Sequence, residues 1–332
     1  MKHYINLFFI LFIVISFSCS RPPHPLSYST SNSEQLKLKN IDQLQRSILK
    51  ITSSAYYQNY YYSYPTSELD VFSQESLLEN KNMTSNSVAG TGLILYQDSR
   101  SQLLLSCHHL FDFKDTLKTY YLDKNRQPTK YLSSLSIKTG ENILIFHKNG
   151  SNSQGNIIAV DKINDLAMLE VKTENILLSE YPFQGLFVDT KTIKFGQEVY
   201  LLGFPKGFFM VTRGLVSHAP YKNKFIVDAP FNRGFSGGVV VLFSENGLYY
   251  HNIGMANSVA YNPEIVLTPA DDSQSIDIYK NVPYNGEVYV KDLKLINYGI
   301  TFVIKSNFVI DFFKRERKNL RQMGYDISGY IK

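Results

Sequence analysis

The sequence contains no tryptophan and only two cysteines, Cys19 and Cys107. Two cysteines are too few for the disulfide framework on which small secreted domains depend. The fold must therefore be stabilised mainly by packing. At 332 residues the chain is long enough to bury a large core, and its length allows one large domain or two modest ones.

A strong excess of charge of one sign is also missing. The formal net charge is +5, hydrophobic residues make up 44% of the chain, and charged residues make up 19%. These values exclude a largely disordered chain. The densest basic run, residues 314–318, belongs to an amphipathic stretch, which predicts a carboxyl-terminal helix at about 306–323 with a solvated basic face. Because the other basic residues are dispersed, nucleic-acid binding is not indicated.

No apolar run reaches the length of about 20 residues that a membrane-spanning helix needs. The run Ile5 to Phe17 is shorter and is followed by Cys19, as in a bacterial lipoprotein signal. We therefore predict a signal peptide over 1–19, lipidation of Cys19 and an exported protein anchored to a membrane of the bacterial envelope, on its periplasmic or cell-surface face. Ser16 and Phe17 fit such a site imperfectly, so simple secretion or an uncleaved anchor remains open.

Polar, proline-containing residues 20–40 predict a flexible tether ahead of a folded domain at 41–332. The tyrosine-rich segment Ala55 to Pro65 favours a long surface insertion between strands, with a binding loop as the alternative.

Short apolar runs separated by turn residues follow Val88, with no phosphate-binding loop and no dinucleotide fingerprint. Many short strands and one convincing helix predict an all-β barrel or sandwich. The predicted strands are Thr91–Tyr96, Leu103–Ser106, Asn142–His147, Ile157–Val160, Ala167–Val171, Glu198–Leu202, Val211–Val216, Lys224–Val227, Val239–Phe243, Tyr249–Ala256 and Gly299–Ile304.

Two motifs in the first half of the chain carry titratable groups at the edge of a predicted strand. The first is Cys107-His108-His109-Leu110, where a histidine could act as a general base. A packed histidine or a partial metal site remains open there. The second is Asp165, which opens an apolar run and is either a buried carboxylate or an ordinary turn residue.

The third motif, Gly234-Phe235-Ser236-Gly237-Gly238, precedes an apolar strand. Glycines on both sides of a serine allow backbone amides to converge on one point while the hydroxyl stays accessible. A simple tight turn is the alternative. Taken together, the motifs occur in the order His, Asp, Ser, which is the order of the chymotrypsin-type barrel and not that of α/β-hydrolases or subtilisins.

On these motifs the sequence resembles the trypsin-like peptidases of the high-temperature-requirement (Deg) group, from about Gln43 to Leu320. Three further segments carry the resemblance, namely Gly196–Gly207, Thr212–Ser217 and Tyr298–Asn307. The resemblance implies two six-stranded antiparallel β-barrels, at about 45–182 and 183–305, followed by the helix.

The resemblance also implies a serine endopeptidase that acts on protein or peptide substrates. Ser236 would be the nucleophile, His109 the base and Asp165 its partner, while the amides of Gly234 and Ser236 would form the oxyanion hole. No metal or organic cofactor is expected. Phe235 and Val239 depart from the family pattern, in which they are asparagine and proline, and we expect no peptide-binding PDZ domain.

Specificity is predicted from the residue six positions before the nucleophile, which is Pro230. With Gly254, Met255 and Ala256 as its wall, a neutral pocket is expected to favour cleavage after small or medium apolar residues, because desolvation disfavours charged ones. The insertion Ser258 to Asn297 receives no role.

Two other functions remain open. The chain could be a catalytically inactive, protease-like surface lipoprotein that binds host or envelope proteins, since a fold does not guarantee activity. An esterase using the same three residues is the second. The sequence does not indicate an oligomeric state.

Overall fold

The computed structural model describes residues 31–67, 78–124, 127–172, 179–269 and 288–331. The predicted signal segment 1–19 and Cys19 lie outside the described residues. Within the described ranges, no helix combines the length and the apolarity needed to cross a membrane.

The described chain is built mainly from β-strands, and α-helices lie near its two ends. The helices are α1 (Asn32–Gln45) and α2 (Ser306–Gln322). The strands are β1 (Ile48–Thr66), β2 (Leu78–Gln97), β3 (Ser101–Cys107), β4 (Thr116–Leu122), β5 (Pro128–Phe146), β6 (Asn152–Asp161), β7 (Leu166–Lys172), β8 (Leu186–Phe187), β9 (Glu198–Gly203), β10 (Met210–Ser217), β11 (Lys224–Val227), β12 (Val239–Phe243), β13 (Tyr250–Pro269) and β14 (Val288–Lys305).

The first seven strands form a closed barrel with one added strand. Six strands pair in the order β1-β2-β3-β7-β6-β5, and pairing of β1 with β5 closes the ring. Strand β4 joins the outside of β5. The central strands β3 and β7 are almost entirely buried, because their runs of leucine, alanine, methionine and valine are covered on both faces.

The second barrel repeats this arrangement. Strands pair in the order β12-β9-β10-β11-β14-β13, the β12–β13 pairing closes the ring, and β8 adds to β13 in parallel. The predicted fold class is therefore confirmed: two closed six-stranded antiparallel barrels are followed by a carboxyl-terminal helix. Each barrel carries one further strand that the prediction did not contain.

The amino-terminal helix replaces part of the expected tether. Residues 32–40 belong to α1, whose first turn is capped by the Ser31 hydroxyl accepting from the Glu34 amide at 3.3 Å. Leu44 in its last turn is fully buried. The tether prediction missed the helix because the apolar side that packs on the barrel begins only near Ile41.

The carboxyl-terminal helix α2 agrees with its prediction. Val309, Phe312 and Phe313 are fully buried, whereas Lys314 and Lys318 on the opposite side are exposed. This apolar face attaches the helix to the larger core cluster.

The two segments interpreted as insertions are extensions of barrel strands. The tyrosine-rich residues from Ala55 onward continue β1 and pair with both β2 and β5, and Tyr57 and Tyr62 are buried. The described parts of the later insertion extend β13 and β14 into a two-stranded ribbon, in which residues 261–269 pair with 288–296. The insertion-loop interpretation of Ala55 to Pro65 is therefore corrected to a strand.

Candidate active site

His109 lies in a single 3₁₀ turn, His108–Leu110, that follows directly on β3. Cys107 and Leu110, on either side of the histidine pair, are buried, at 0% and 1% exposure. Because these two side chains are held in the core, His109 is directed outward, and 42% of its side chain is exposed. The local sequence thus delivers an accessible imidazole at the edge of the first barrel.

Asp165 occupies the turn between β6 and β7 and adopts a left-handed backbone conformation with φ of 57°. It contacts His109 twice: Oδ1 accepts from the His109 amide at 2.7 Å, and Oδ2 lies 2.6 Å from Nδ1. Burial opposes ionisation of this carboxyl, yet hydrogen bonds from His109 and Asn257 and the charge of His109 hold its pKa below the ordinary value. The carboxylate form is therefore favoured.

Ser236 completes the group from the second barrel. Its Oγ lies 3.0 Å from His109 Nε2 and 3.1 Å from the carbonyl oxygen of Asn257, to which it can also donate. The structure thus brings the three predicted residues into one hydrogen-bonded array across the two barrels. Such an array lets the imidazole accept the serine proton while the carboxylate stabilises the resulting charge.

Two glycines in the Ser236 turn are required by its backbone. Gly234 has φ of 103° and Gly237 has φ of 85°, both unfavourable for residues with a side chain. A Cβ at Gly234 would lie 2.4 Å from the Phe204 carbonyl oxygen, and one at Gly237 would lie 2.0 Å from that of Thr91. The glycine pattern seen in the sequence therefore has a steric cause.

The two amides predicted to form an oxyanion hole are oriented by hydrogen bonds to the preceding carbonyls. The Arg233 carbonyl accepts from the Lys206 amide at 2.8 Å, and the Phe235 carbonyl accepts from the Gly238 amide at 2.7 Å. Because a peptide group is planar and trans, fixing each carbonyl also fixes the N–H on the opposite side. Among the described residues, neither the Gly234 nor the Ser236 amide donates to a protein acceptor. Both remain available to a bound oxygen.

Sequence reasoning missed Thr91, which clamps this turn from the first barrel. Its amide donates to the Ser236 carbonyl at 2.8 Å and its hydroxyl donates to the Gly234 carbonyl at 2.7 Å. Thr91 is completely buried. No local pattern in the sequence indicates that Thr91 contacts Gly234, because the two residues are more than 140 positions apart in the chain.

The departure at Phe235 has a structural role in this turn. Its ring is 1% exposed and packs in the second barrel core, 5.8 Å from the ring of Phe231. An apolar anchor therefore holds the turn where the family has an asparagine. Val239 likewise is buried, within β12, where it pairs with Leu202 and Met255.

Asn257 is the second residue that sequence reasoning missed. It lies where the β13–β14 register shifts between Ala256 and Ser258, and such bulges commonly redirect a side chain beside an active site. Its Nδ2 donates to Asp165 Oδ2 at 2.5 Å. Asn257 therefore touches the carboxylate with its side chain and the Ser236 hydroxyl with its carbonyl.

The predicted pocket wall needs correction. Met255 and Ala256 are 2% and 0% exposed, Gly254 is also buried, and Pro230 alone of the four lies at the surface. The Ala256 carbonyl accepts from the Gly237 amide, so this segment supports the nucleophile turn and offers no open wall.

The open space begins just beyond the bulge. A cavity of about 500 Å³ is lined by Tyr221, Lys224, Ser258, Val259, Ala260, Tyr261 and Phe302. The bulge at Asn257 explains why the pocket wall was predicted at the wrong residues. The residues of β13 that line the cavity come after Asn257, whereas the predicted wall residues come before it.

The structure gives limited support to the alternative prediction of a metal site at Cys107, His108 and His109. Potential ligand atoms of Cys107, His109 and Asp165 lie within 4.8 Å of one another, without His108. Burial raises the pKa of the Cys107 thiol, which disfavours the thiolate that binds metals. The Asp165 and His109 atoms already bond to each other, so this donor set fits a metal poorly.

The comparisons with known proteins agree with this geometry. Residues 90–248 match the family described as the trypsin-like peptidase domain. This match spans slightly less than half of the 332-residue chain. The predicted resemblance to trypsin-like peptidases is thereby confirmed. The matched stretch includes all three residues of the array.

Solved structures of HtrA-type proteases are similar to the chain. AlgW with a tripeptide shares 14% identity at a TM-score of 0.43, over 84% of this chain and 63% of that one. An AlgW variant with a decapeptide shares 15% identity at a TM-score of 0.45, over 87% and 68%. The chain thus spans slightly less than two thirds of the AlgW structure with the tripeptide. No curated protein matches the sequence.

Proposed function

We propose that this chain is a serine endopeptidase that cleaves peptide bonds through an acyl-enzyme intermediate. The observation that carries the proposal is the continuous hydrogen-bonded array from Asp165 through His109 to Ser236, beside two unpaired backbone amides. A peptide carbonyl placed between Ser236 Oγ and these amides would meet a nucleophile and an oxyanion site together.

In the proposed reaction, Ser236 Oγ attacks the substrate carbonyl carbon while His109 Nε2 accepts the hydroxyl proton. The Gly234 and Ser236 amides donate to the oxygen that becomes negative. His109 then returns the proton to the leaving amine, which departs as the acyl-enzyme forms. Water deacylates Ser236 by the same route, again with His109 as base. Asp165 holds the imidazole tautomer and stabilises its protonated form throughout.

The cavity after Asn257 supports a preference for apolar substrate side chains near the scissile bond. Its walls include Tyr221, Val259, Tyr261 and Phe302. Lys224 is the charged residue in its lining, and its Nζ is engaged by Asn257 Oδ1 at 2.6 Å. We retain cleavage after small or medium apolar residues as the specificity to be tested with a peptide library, and predominant cleavage after lysine or arginine would contradict it.

A fluorophosphonate probe tests the proposal most directly, because it reacts with an activated serine and needs no knowledge of the substrate. Purified protein spanning residues 20–332 should be labelled, and labelling should disappear in Ser236→Ala and His109→Ala. Ser153→Ala is a matched control, since Ser153 also hydrogen-bonds to a histidine. A folded wild-type protein that resists labelling would favour the inactive binding scaffold.

A further inference from the structure

The array around Ser236 continues beyond Asp165 to a lysine of the second barrel. Asn257 Nδ2 donates to Asp165 Oδ2 at 2.5 Å, and Asn257 Oδ1 accepts from Lys224 Nζ at 2.6 Å. Five residues therefore form one chain of contacts from Lys224 to Ser236.

The contacts also determine which way the Asn257 amide faces. Lysine has only donors and a carboxylate has only acceptors, so Oδ1 must face Lys224 and the NH₂ group must face Asp165. The Ser258 hydroxyl donates to the same Oδ1 at 2.9 Å. Asn257 is 2% exposed, so water cannot easily replace a lost partner.

Lys224 is held at a defined position by its strand. It is the first residue of β11 and pairs with Ile304 of β14. The preceding residue, Asn223, donates to Asn164 Oδ1 at 3.2 Å, directly before Asp165 in the chain. The start of β11 thus contacts the Asp165 turn directly through Asn223, and Lys224 is linked to Asp165 through Asn257.

We infer that Lys224 is a positioning residue of the active site, which fixes the Asn257 amide so that Asn257 holds Asp165 in place for His109. The inference rests on the proposed triad. Among the described residues, the hydrogen bonds of Lys224 lead to the reacting atoms through Asn257, so its positioning contribution should vanish when Asn257 lacks its amide.

A double-mutant cycle tests this dependence. Lys224→Met retains most of the aliphatic length and removes the donor, and we expect kcat on a short peptide to fall about tenfold with little change in KM, as for loss of one hydrogen bond to a charged group. Lys224→Arg should restore most of the rate. In an Asn257→Ala background, Lys224→Met should have no further effect. An equal loss of rate in both backgrounds, or a change in KM alone, would overturn the inference in favour of direct substrate contact.

Lys305→Met provides the matched control. Lys305 and Lys224 line the same cavity of about 260 Å³, together with His218, but Lys305 Nζ donates to the Lys222 carbonyl. Its replacement removes the same charge without touching Asn257, and kcat should be retained. A loss equal to that of Lys224→Met would show a general charge effect and refute the positioning role.

A spectroscopic measurement separates this inference from the proposed activity. The Nδ1 proton shared by His109 and Asp165 should give a low-field NMR resonance, absent in His109→Gln. It should shift in Lys224→Met and in Asn257→Ala, and stay in place in Lys305→Met. If the wild type proves inactive but the resonance shifts in this pattern, the proposed function fails and the positioning role holds. An unmoved resonance in Lys224→Met refutes the positioning role whatever the activity.

Discussion

Two histidines of the first barrel each connect a serine hydroxyl to a carboxylate, with similar distances. His109 lies 3.0 Å from Ser236 Oγ and 2.6 Å from Asp165 Oδ2. His147 lies 2.9 Å from Ser153 Oγ and 3.0 Å from a Glu180 carboxylate oxygen. By distances alone, the chain would have two hydrolytic sites.

The surroundings of the two arrays differ. The His109 side chain is 42% exposed, whereas His147 and Glu180 are 2% and 0% exposed. Ser236 lies in a glycine turn with free amides, whereas Ser153 lies within β6, paired with Ile145. The exposure of the histidine and the presence of oxyanion donors, more than the three side chains, distinguish the candidate catalytic array from the structural one.

The buried array instead attaches the segment between the barrels to the first barrel. Glu180 follows β7 in the chain, and its Oε1 accepts from the Lys148 amide at 2.7 Å while its Oε2 accepts from Gln102 at 3.1 Å. The Glu180 carbonyl accepts from Gln97 at 2.8 Å. We therefore assign the Glu180 array to stability, and the Asp165 array is the one on which the proposed activity depends.

The largest expected contrast comes from neutralising each carboxylate. Asp165→Asn should lower kcat about 10⁴-fold, because the amide favours the wrong imidazole tautomer. Glu180→Gln should leave kcat nearly unchanged at temperatures where the protein stays folded. Steady-state hydrolysis of a peptide by both variants measures the difference, and comparable losses in kcat would remove the distinction between the arrays.

A smaller loss of kcat is expected when the glycine turn around Ser236 is changed, a turn that the His147 array lacks. In Gly234→Ala, the added Cβ would meet the Phe204 carbonyl at 2.4 Å and displace an oxyanion donor. We expect kcat to fall about 10²- to 10³-fold, as for loss of one such donor. Gly140→Ala is the control, because a Cβ there meets no atom within 4 Å. Undiminished hydrolysis by Gly234→Ala would show that this amide takes no part.

Removal of the buried Glu180 carboxylate should lower the free energy of unfolding. Glu180→Ala leaves His147, Gln102 and the Lys148 amide without their partner, and breaking such a buried pair costs about 3 kcal/mol or more in the free energy of unfolding. Urea denaturation followed by circular dichroism measures this loss. Asp42→Ala, which removes an exposed pair with Arg46, should change stability little. Equal losses in the two variants would contradict a structural role for Glu180.

Local patterns in the sequence predicted an all-β barrel or sandwich, whereas the order of three motifs and the family resemblance predicted the two barrels and the three residues of the candidate site. His109, Asp165 and Ser236 each stand at the edge of an apolar strand, and their order in the chain indicates the fold type. Thr91 and Asn257 were missed because their roles depend on contacts between distant segments. The pocket wall was misplaced because a bulge changes which residues face the cleft, and no local pattern marked it.

The Glu180 array was missed for a related reason: its members lie on three separate segments that only the closed barrel brings together. His147 ends one predicted strand, and Glu180 follows a strand in a polar stretch with no motif. The catalytic role of the Asp165 array stays a prediction, which labelling of Ser236 tests.

The smallest expected effect is a change with pH in the stability that Glu180 contributes. Burial opposes ionisation of Glu180, but hydrogen bonds from His147, Gln102 and the Lys148 amide hold its pKa below the ordinary value. A carboxyl whose pKa is lower in the folded state stabilises the protein above its unfolded pKa, about 4.3 for glutamate, and loses that contribution as the pH falls through the folded value.

The difference in unfolding free energy between wild type and Glu180→Gln should therefore be largest near pH 7 and should shrink as the pH is lowered below 4. Because Asp165 is present in both proteins, its own lowered pKa contributes equally and cancels from the comparison. Urea titrations at pH 7, 5 and 3 give the three differences. A difference that stays constant or grows toward low pH would mean that the Glu180 charge does not stabilise the fold, and the buried array would then act through its neutral hydrogen bonds alone.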